Sequence, residues 1–233
     1  GGRGALDFRA ALKQVWAEPK ARLFTIFVFV SMLAYSSSDL ILEPFTGLVF
    51  DLTPGQSTQL AGVQHGGVLV GMIGVAILGA KLAGRGFGRR QGWVIGGCAA
   101  SSLALFALAA SSLVGPGWPL APTVFILGLS NGAFAVAAIG AMMGLAGADG
   151  PGREGMRIGL WGAAQAIAFG VGGFLGAAAI DAARVVFDDT ALAFALVFAA
   201  EALLFLVAAR LALGVEEQNP DTNVVPSLAG GAP

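Results

Sequence analysis

The sequence predicts an all-α integral membrane protein with six transmembrane helices, and three observations carry that expectation. Of 233 residues, 56% are hydrophobic and only 12% charged, with a mean hydropathy of +0.80; water-soluble domains carry about 25% charged residues. Six apolar runs reach the ~20 residues needed to cross a bilayer. Basic residues collect in alternate connections, the charge pattern of a polytopic membrane chain.

The six runs are Ala21–Phe45, Ser57–Ala83, Gly92–Leu113, Leu120–Leu145, Met156–Ala182 and Thr190–Leu213. Breakers and polar groups separate them: DLTPGQS, GRGFGRRQ, VGPGWP, GADGPGRE and VVFDDT. These bounds divide the chain into a cytoplasmic amphipathic linker helix at 1–20, a six-helix bundle at 21–213 and a disordered cytoplasmic tail at 214–233. In the linker, Phe8, Ala11, Leu12 and Trp16 share a helical face suited to the lipid surface. The tail EEQNPDTNVVPSLAGGAP has the composition of a disordered end. The opening GGRGALDFRA resembles neither an initiating segment nor a cleaved leader.

With the amino terminus in the cytoplasm, twelve basic residues fall on the inside, Arg89, Arg153 and Arg157 among them. Only Arg184 falls outside, beside Asp181, Asp188 and Asp189. Both termini are then cytoplasmic. A net charge of -1 offers no basic face to neutralise phosphates, which argues against a nucleic-acid partner. The lone Cys98 permits neither an internal disulfide nor a Cys-based zinc site.

Several of the 36 glycines are spaced four apart within spans: Gly67/Gly71, Gly92/Gly96, Gly128/Gly132 and Gly172/Gly176. Small residues at that spacing let backbones approach where no hydrophobic effect drives helices together; a flat glycine face also suits the ring of a pigment. Ionisable groups inside hydrocarbon are costly, about 2.5–3.5 kcal/mol on insertion scales, and mark candidate sites. Asp39 and Glu43 lie one turn apart on one face, with Pro44 expected to end or kink the helix there and leave both acids near the outer surface. His65, the sole histidine, falls about 12 Å into the second span at ~1.5 Å per residue, level with the two acids. It reads as a proton-coupling group or an axial ligand to a magnesium tetrapyrrole. Its bland alternative is an imidazole bonded to a neighbouring carbonyl. Asn131, Gln165 and Glu201 form a deeper polar layer, either clasps between helices or a ligand or proton site. The chain shows no nucleophile–base pair, phosphate loop or metal-ligand set, so neither catalysis nor a metal site is expected.

Six spans with both ends inside resemble one half of a major facilitator fold, and LAGRGFGRRQG resembles that superfamily's Gly-Asp-Arg-Gly-Arg loop without its aspartate. The stretch DLILEPFTGLVFDLTPGQSTQLAGVQHGGVLVGM is similar to the bacteriochlorophyll-delivery (PucC/LhaA-like) family. The matching positions are Asp39, Leu42, Glu43, Pro44, Phe45, Gly47, Phe50, Gly66, Gly67, Gly71 and Met72. Residues 155–176, GMRIGLWGAAQAIAFGVGGFLG, resemble the family's eleventh helix. The resemblance implies the second half of a twelve-helix, non-enzymatic light-harvesting assembly factor in the intracytoplasmic photosynthetic membrane of a bacterium. Implied partners are an N-terminal six-helix half, the lipid bilayer, and antenna polypeptides or a reaction-centre complex. Bacteriochlorophyll is the implied cofactor, with His65, Gly66, Gly67 and Gly71 as its candidate contacts. A proton-coupled solute carrier using Asp39, Glu43, His65 and Glu201, or a structural subunit of a photosynthetic complex, stand as alternatives.

Overall fold

The structure is a computed structural model that describes residue 13 and residues 15–82, 90–146 and 154–217. Six long helices fill it: α1 Pro19–Phe50, α2 Pro54–Leu82, α3 Arg90–Val114, α4 Leu120–Ala146, α5 Glu154–Phe187 and α6 Thr190–Glu217. All six are long and apolar enough to cross a membrane, and no strand occurs among the described residues. This is an all-α, multi-pass membrane protein. The 32 residues of α1 span about 48 Å at ~1.5 Å each, well beyond ~30 Å of hydrocarbon, which tilting accommodates. The bundle helices run from 19 to 217, wider than the expected 21–213. Most of the expected linker helix and all but the first turn of the expected tail lie outside the described residues.

Pro44 does not stop α1. The helix continues to Phe50, because the segment after the proline is anchored from the side. Phe45 is fully buried, its ring 5.4 Å from Phe194 and 4.9 Å from Phe198 on α6 and 5.4 Å from Phe50. That aromatic cluster outweighs the hydrogen bond the imino nitrogen cannot make, and prolines are tolerated in membrane helices where neighbours support the backbone. α1 ends instead at Asp51, which is left-handed (φ 54), with Leu52 N–H donating to the Thr46 carbonyl at 3.2 Å. Thr53 then starts α2 with a capping box. Its N–H donates to Gln56 Oε1 at 2.9 Å, and Gln56 N–H returns to Thr53 Oγ1 at 3.4 Å. At the matching α5–α6 turn, Asp189 Oδ1 accepts from Leu192 N–H at 3.1 Å.

Around the bundle the principal packing order is α5, α1, α6, α3, α4, α2, with lighter contacts of α1 with α2 and of α4 with α5. The α2–α4 seam is made of glycine. A Cβ on Gly67 or Gly71 would sit 2.3 Å from Phe125 O or 2.1 Å from Leu129 O; one on Gly128 or Gly132 would sit 2.0 Å from Gln64 O or 2.1 Å from Val68 O. Gly172 and Gly176 press against Ser36 and Ser37 of α1. Gly92 and Gly96, expected to form a similar seam, face open space, and it is Gly97 that meets Phe134. Spacing alone does not say which flank of a helix receives a neighbour.

Candidate functional site

The light α1–α2 contact leaves a polar groove. It has a volume of about 260 Å³ and is lined chiefly by Asp39, Glu43, Thr46, Ser57, Gln64 and His65. Since pockets that enclose a drug-sized ligand run ~300–1,000 Å³, this one suits a single side chain or the edge of a larger group. One end is closed where the Thr46 and Ser57 hydroxyls meet at 2.9 Å, while Thr46 Oγ1 also donates to the Glu43 carbonyl at 2.8 Å. Farther in, the buried Gln64 donates from Nε2 to Asp39 Oδ1 at 3.2 Å.

Asp39, Glu43 and His65 are exposed in the groove. Because α1 runs past Pro44, Asp39 lies roughly three turns before the helix end and Glu43 about two. Both acids are therefore deeper than the expected position at the surface. His65 forms no bond to either carboxylate; its Nδ1 lies 2.7 Å from the Ala61 carbonyl, one turn back. A carbonyl oxygen only accepts, so Nδ1 carries the hydrogen, which leaves Nε2 as the ring nitrogen that could serve a ligand. The carbonyl contact is the one the bland expectation names, although His65 is exposed.

Of the glycines grouped with His65, only Gly66 is exposed, with nothing within 4 Å of a Cβ position. Gly67 and Gly71 are turned to α4 and buried against its backbone, and none of the three glycines lines the groove. Met72, of the same family pattern, is half-buried.

The deeper layer separates into two kinds of residue. Glu201 on α6 is 3% exposed and accepts a hydrogen bond from Ser37 on α1 through Oε1; its Oε2 has no partner. Asn131 on α4 accepts from Ser101 on α3 at 2.7 Å. Gln165 on α5 instead faces outward. Serine is the residue type that composition and motif reading passed over. Ser36 donates to Ala168 O at 3.2 Å, Ser102 to Ala202 O at 2.9 Å and Ser112 to Ala191 O at 2.7 Å, tying helix to helix. The pairs SS at 101–102 and 111–112 and the triplet at 36–38, all inside apolar runs, are the signal that would have found them. Among the described residues no group of three or more His, Cys, Asp or Glu could hold a metal ion.

Comparison with known proteins places this sequence in a family. No solved structure matches the chain. It is 54% identical over 219 residues to the "Bacteriochlorophyll synthase 44.5 kDa chain" of Rhodobacter capsulatus, covering 94% of this chain and 50% of that protein. "Protein PucC" of Rhodobacter capsulatus is 30% identical over 167 residues, 71% of this chain and 34% of its own length. "Protein PucC" of Cereibacter sphaeroides is 31% identical over 146 residues, covering 63% and 30%. The chain spans at most half the length of these relatives. The family model described as "PUCC protein" matches residues 2–219, nearly the whole sequence and all six helices, and the chain belongs to that family.

Proposed function

We propose that this chain is part of a non-enzymatic assembly factor of the photosynthetic membrane, which docks bacteriochlorophyll or an antenna helix at the α1–α2 groove. The observation that carries the reading is the contact of His65 Nδ1 with the Ala61 carbonyl. It leaves Nε2 as the nitrogen that a ligand would use, in a groove that also holds Asp39, Glu43 and Gln64. One imidazole nitrogen could hold a magnesium tetrapyrrole, so the absence of a multidentate cluster among the described residues does not weigh against pigment. Bound there, the tetrapyrrole would supply the chromophore that is handed on. His65 would hold it, and the two acids would orient a polar edge or a partner's cationic group. The names of the relatives, which refer to a bacteriochlorophyll synthase chain and to PucC, support a role in pigment or antenna supply. An N-terminal six-helix half, as in a major facilitator fold, is the proposed neighbour, consistent with relatives about twice as long.

The distribution of Lys and Arg supports cytoplasmic placement of both ends; labelling of Arg89 and Asp188 from opposite faces of intact vesicles tests it. The test of function is the near-infrared absorption of the protein purified in mild detergent, wild type against His65→Ala. Loss of copurified bacteriochlorophyll in the variant is expected; equal pigment in both removes His65 from the reading. A second reading, a proton-coupled solute carrier, is favoured by one observation, the buried carboxyl of Glu201 with an unpartnered oxygen. Substrate-stimulated proton uptake by pigment-free vesicles would support it over the first.

A further inference from the structure

The acidic face of α1 continues inward past the groove. Tyr35, the sole tyrosine of the chain, lies one turn before Asp39, about 6 Å along the axis, and a four-residue step keeps both on one face. It is half-buried, and its ring lies 5.8 Å from that of Phe169 on α5, tilted by 45°. Phe169 is 40% exposed. The two rings therefore bridge α1 and α5 and keep part of their surface open.

Gln165 precedes Phe169 by one turn of α5 and shares its face. Tyr35 and Phe169 stand near the middle of α1 (Pro19–Phe50) and α5 (Glu154–Phe187), which puts the exposed Gln165 deep in the membrane. Outward positions near the middle of α3 and α6 are apolar, with Leu103 71% and Leu203 55% exposed. An amide turned to lipid finds no hydrogen-bond partner there. Beside two open rings, it suits a guest with a flat apolar face and polar atoms on its edge. The groove, at about 260 Å³, is too small to enclose such a guest and takes its edge only, so the remainder must lie on neighbouring surface.

We propose, resting on pigment docking at the α1–α2 groove, that Tyr35, Phe169 and Gln165 are a second part of that site. The two rings give the macrocycle of bacteriochlorophyll an aromatic surface, and the Gln165 amide donates to a carbonyl on its rim. Aromatic pairs attract one another beyond the apolar area they cover, and a rim carbonyl gains from a donor that lipid does not supply. His65 answers to the magnesium, these three residues to the ring around it. Tyr35 joins the two parts, since it shares a helix face with Asp39 and meets α5 through Phe169. The step from Asp39 to Tyr35 is shorter than a tetrapyrrole is wide.

The test is titration of the full chain in nanodiscs with bacteriochlorophyll a. Affinity is read from the near-infrared absorption, magnesium ligation from the visible band, and the rim carbonyls by resonance Raman. Tyr35→Leu and Phe169→Leu are each expected to weaken binding about fivefold, the worth of one aromatic contact, and Tyr35→Phe to leave it unchanged. Gln165→Leu should move a carbonyl stretching band of the pigment to higher frequency. The visible band should match wild type in all four variants, because His65 is intact. Wild-type affinity in both leucine ring variants overturns the aromatic surface, and an unmoved carbonyl band in Gln165→Leu overturns the amide contact. Docking at the groove fails by a different result, an unchanged visible band in His65→Ala or no binding by wild type, and the second part of the site falls with it.

Discussion

The two sides of α2 are built on opposite rules. Toward α4 the seam turns on glycine: Gly67 and Gly71 interlock with Gly128 and Gly132, and there backbone meets backbone. Toward α1 it meets a helix only lightly, across hydroxyls, an amide, two acids and an imidazole. Close backbone approach gains dispersion over a long seam and leaves nothing to rearrange. The polar edge leaves room. A site that must admit and release a guest belongs on the second side, and the first keeps it in place. Gln64 works on both, its carbonyl facing Gly128 while its side chain holds Asp39.

Substitutions can break this contrast in graded steps. The largest effect is expected for Gly128→Val, whose Cβ would lie 2.0 Å from Gln64 O; a loss of about 3 kcal/mol should appear as a lowered unfolding transition in detergent. Adjacent glycines supply the sharpest comparison. Gly67→Ala should cost about 2 kcal/mol, since backbone at 2.3 Å cannot yield as a side chain would. Gly66→Ala, which meets nothing, should be neutral or gain up to about 1 kcal/mol from helix propensity. Equal effects in the pair would mean that α2 does not seat on α4 as described. Gln64→Leu should lose about 1 kcal/mol with its hydrogen bond to Asp39 and leave the seam intact, which crosslinking between α2 and α4 would register. Last, Asp39→Asn with Glu43→Gln should shift stability by less than about 0.5 kcal/mol, both side chains being exposed, yet reduce antenna-complex yield in cells. Unchanged yield would separate the groove from function.

Much of this was legible in the residues. Length and hydropathy located all six helices within a few positions, because crossing a bilayer imposes a minimum run that little else produces. The pairing of His65 with the level of Asp39 followed from helix rise alone. What escaped was information held by distant partners. Pro44 reads as a stop, and only Phe194 and Phe198, far along the chain, show why α1 continues. The glycine spacing at 92 and 96 looks the same as that at 67 and 71; the neighbour differs. Gln165 has the depth of Asn131 and the opposite orientation, which periodicity in a run apolar on all sides does not encode. Arg157 counted in sequence only as one more positive charge on its side of the membrane. Its near-complete burial depends on a glutamate 139 positions away.

The central position of α1 bears on how the polypeptide is made. Its principal neighbours are α5 and α6, both of which follow it in the chain and emerge after it during synthesis. Until they arrive, Ser36 lacks Ala168, Ser37 lacks Glu201 and Phe45 lacks its aromatic surround. α1 thus emerges before the partners that complete it, so biogenesis passes through a stage in which its hydroxyls face lipid or a borrowed companion. A ribosome-stalled intermediate that ends after α4 is where such a companion would be caught.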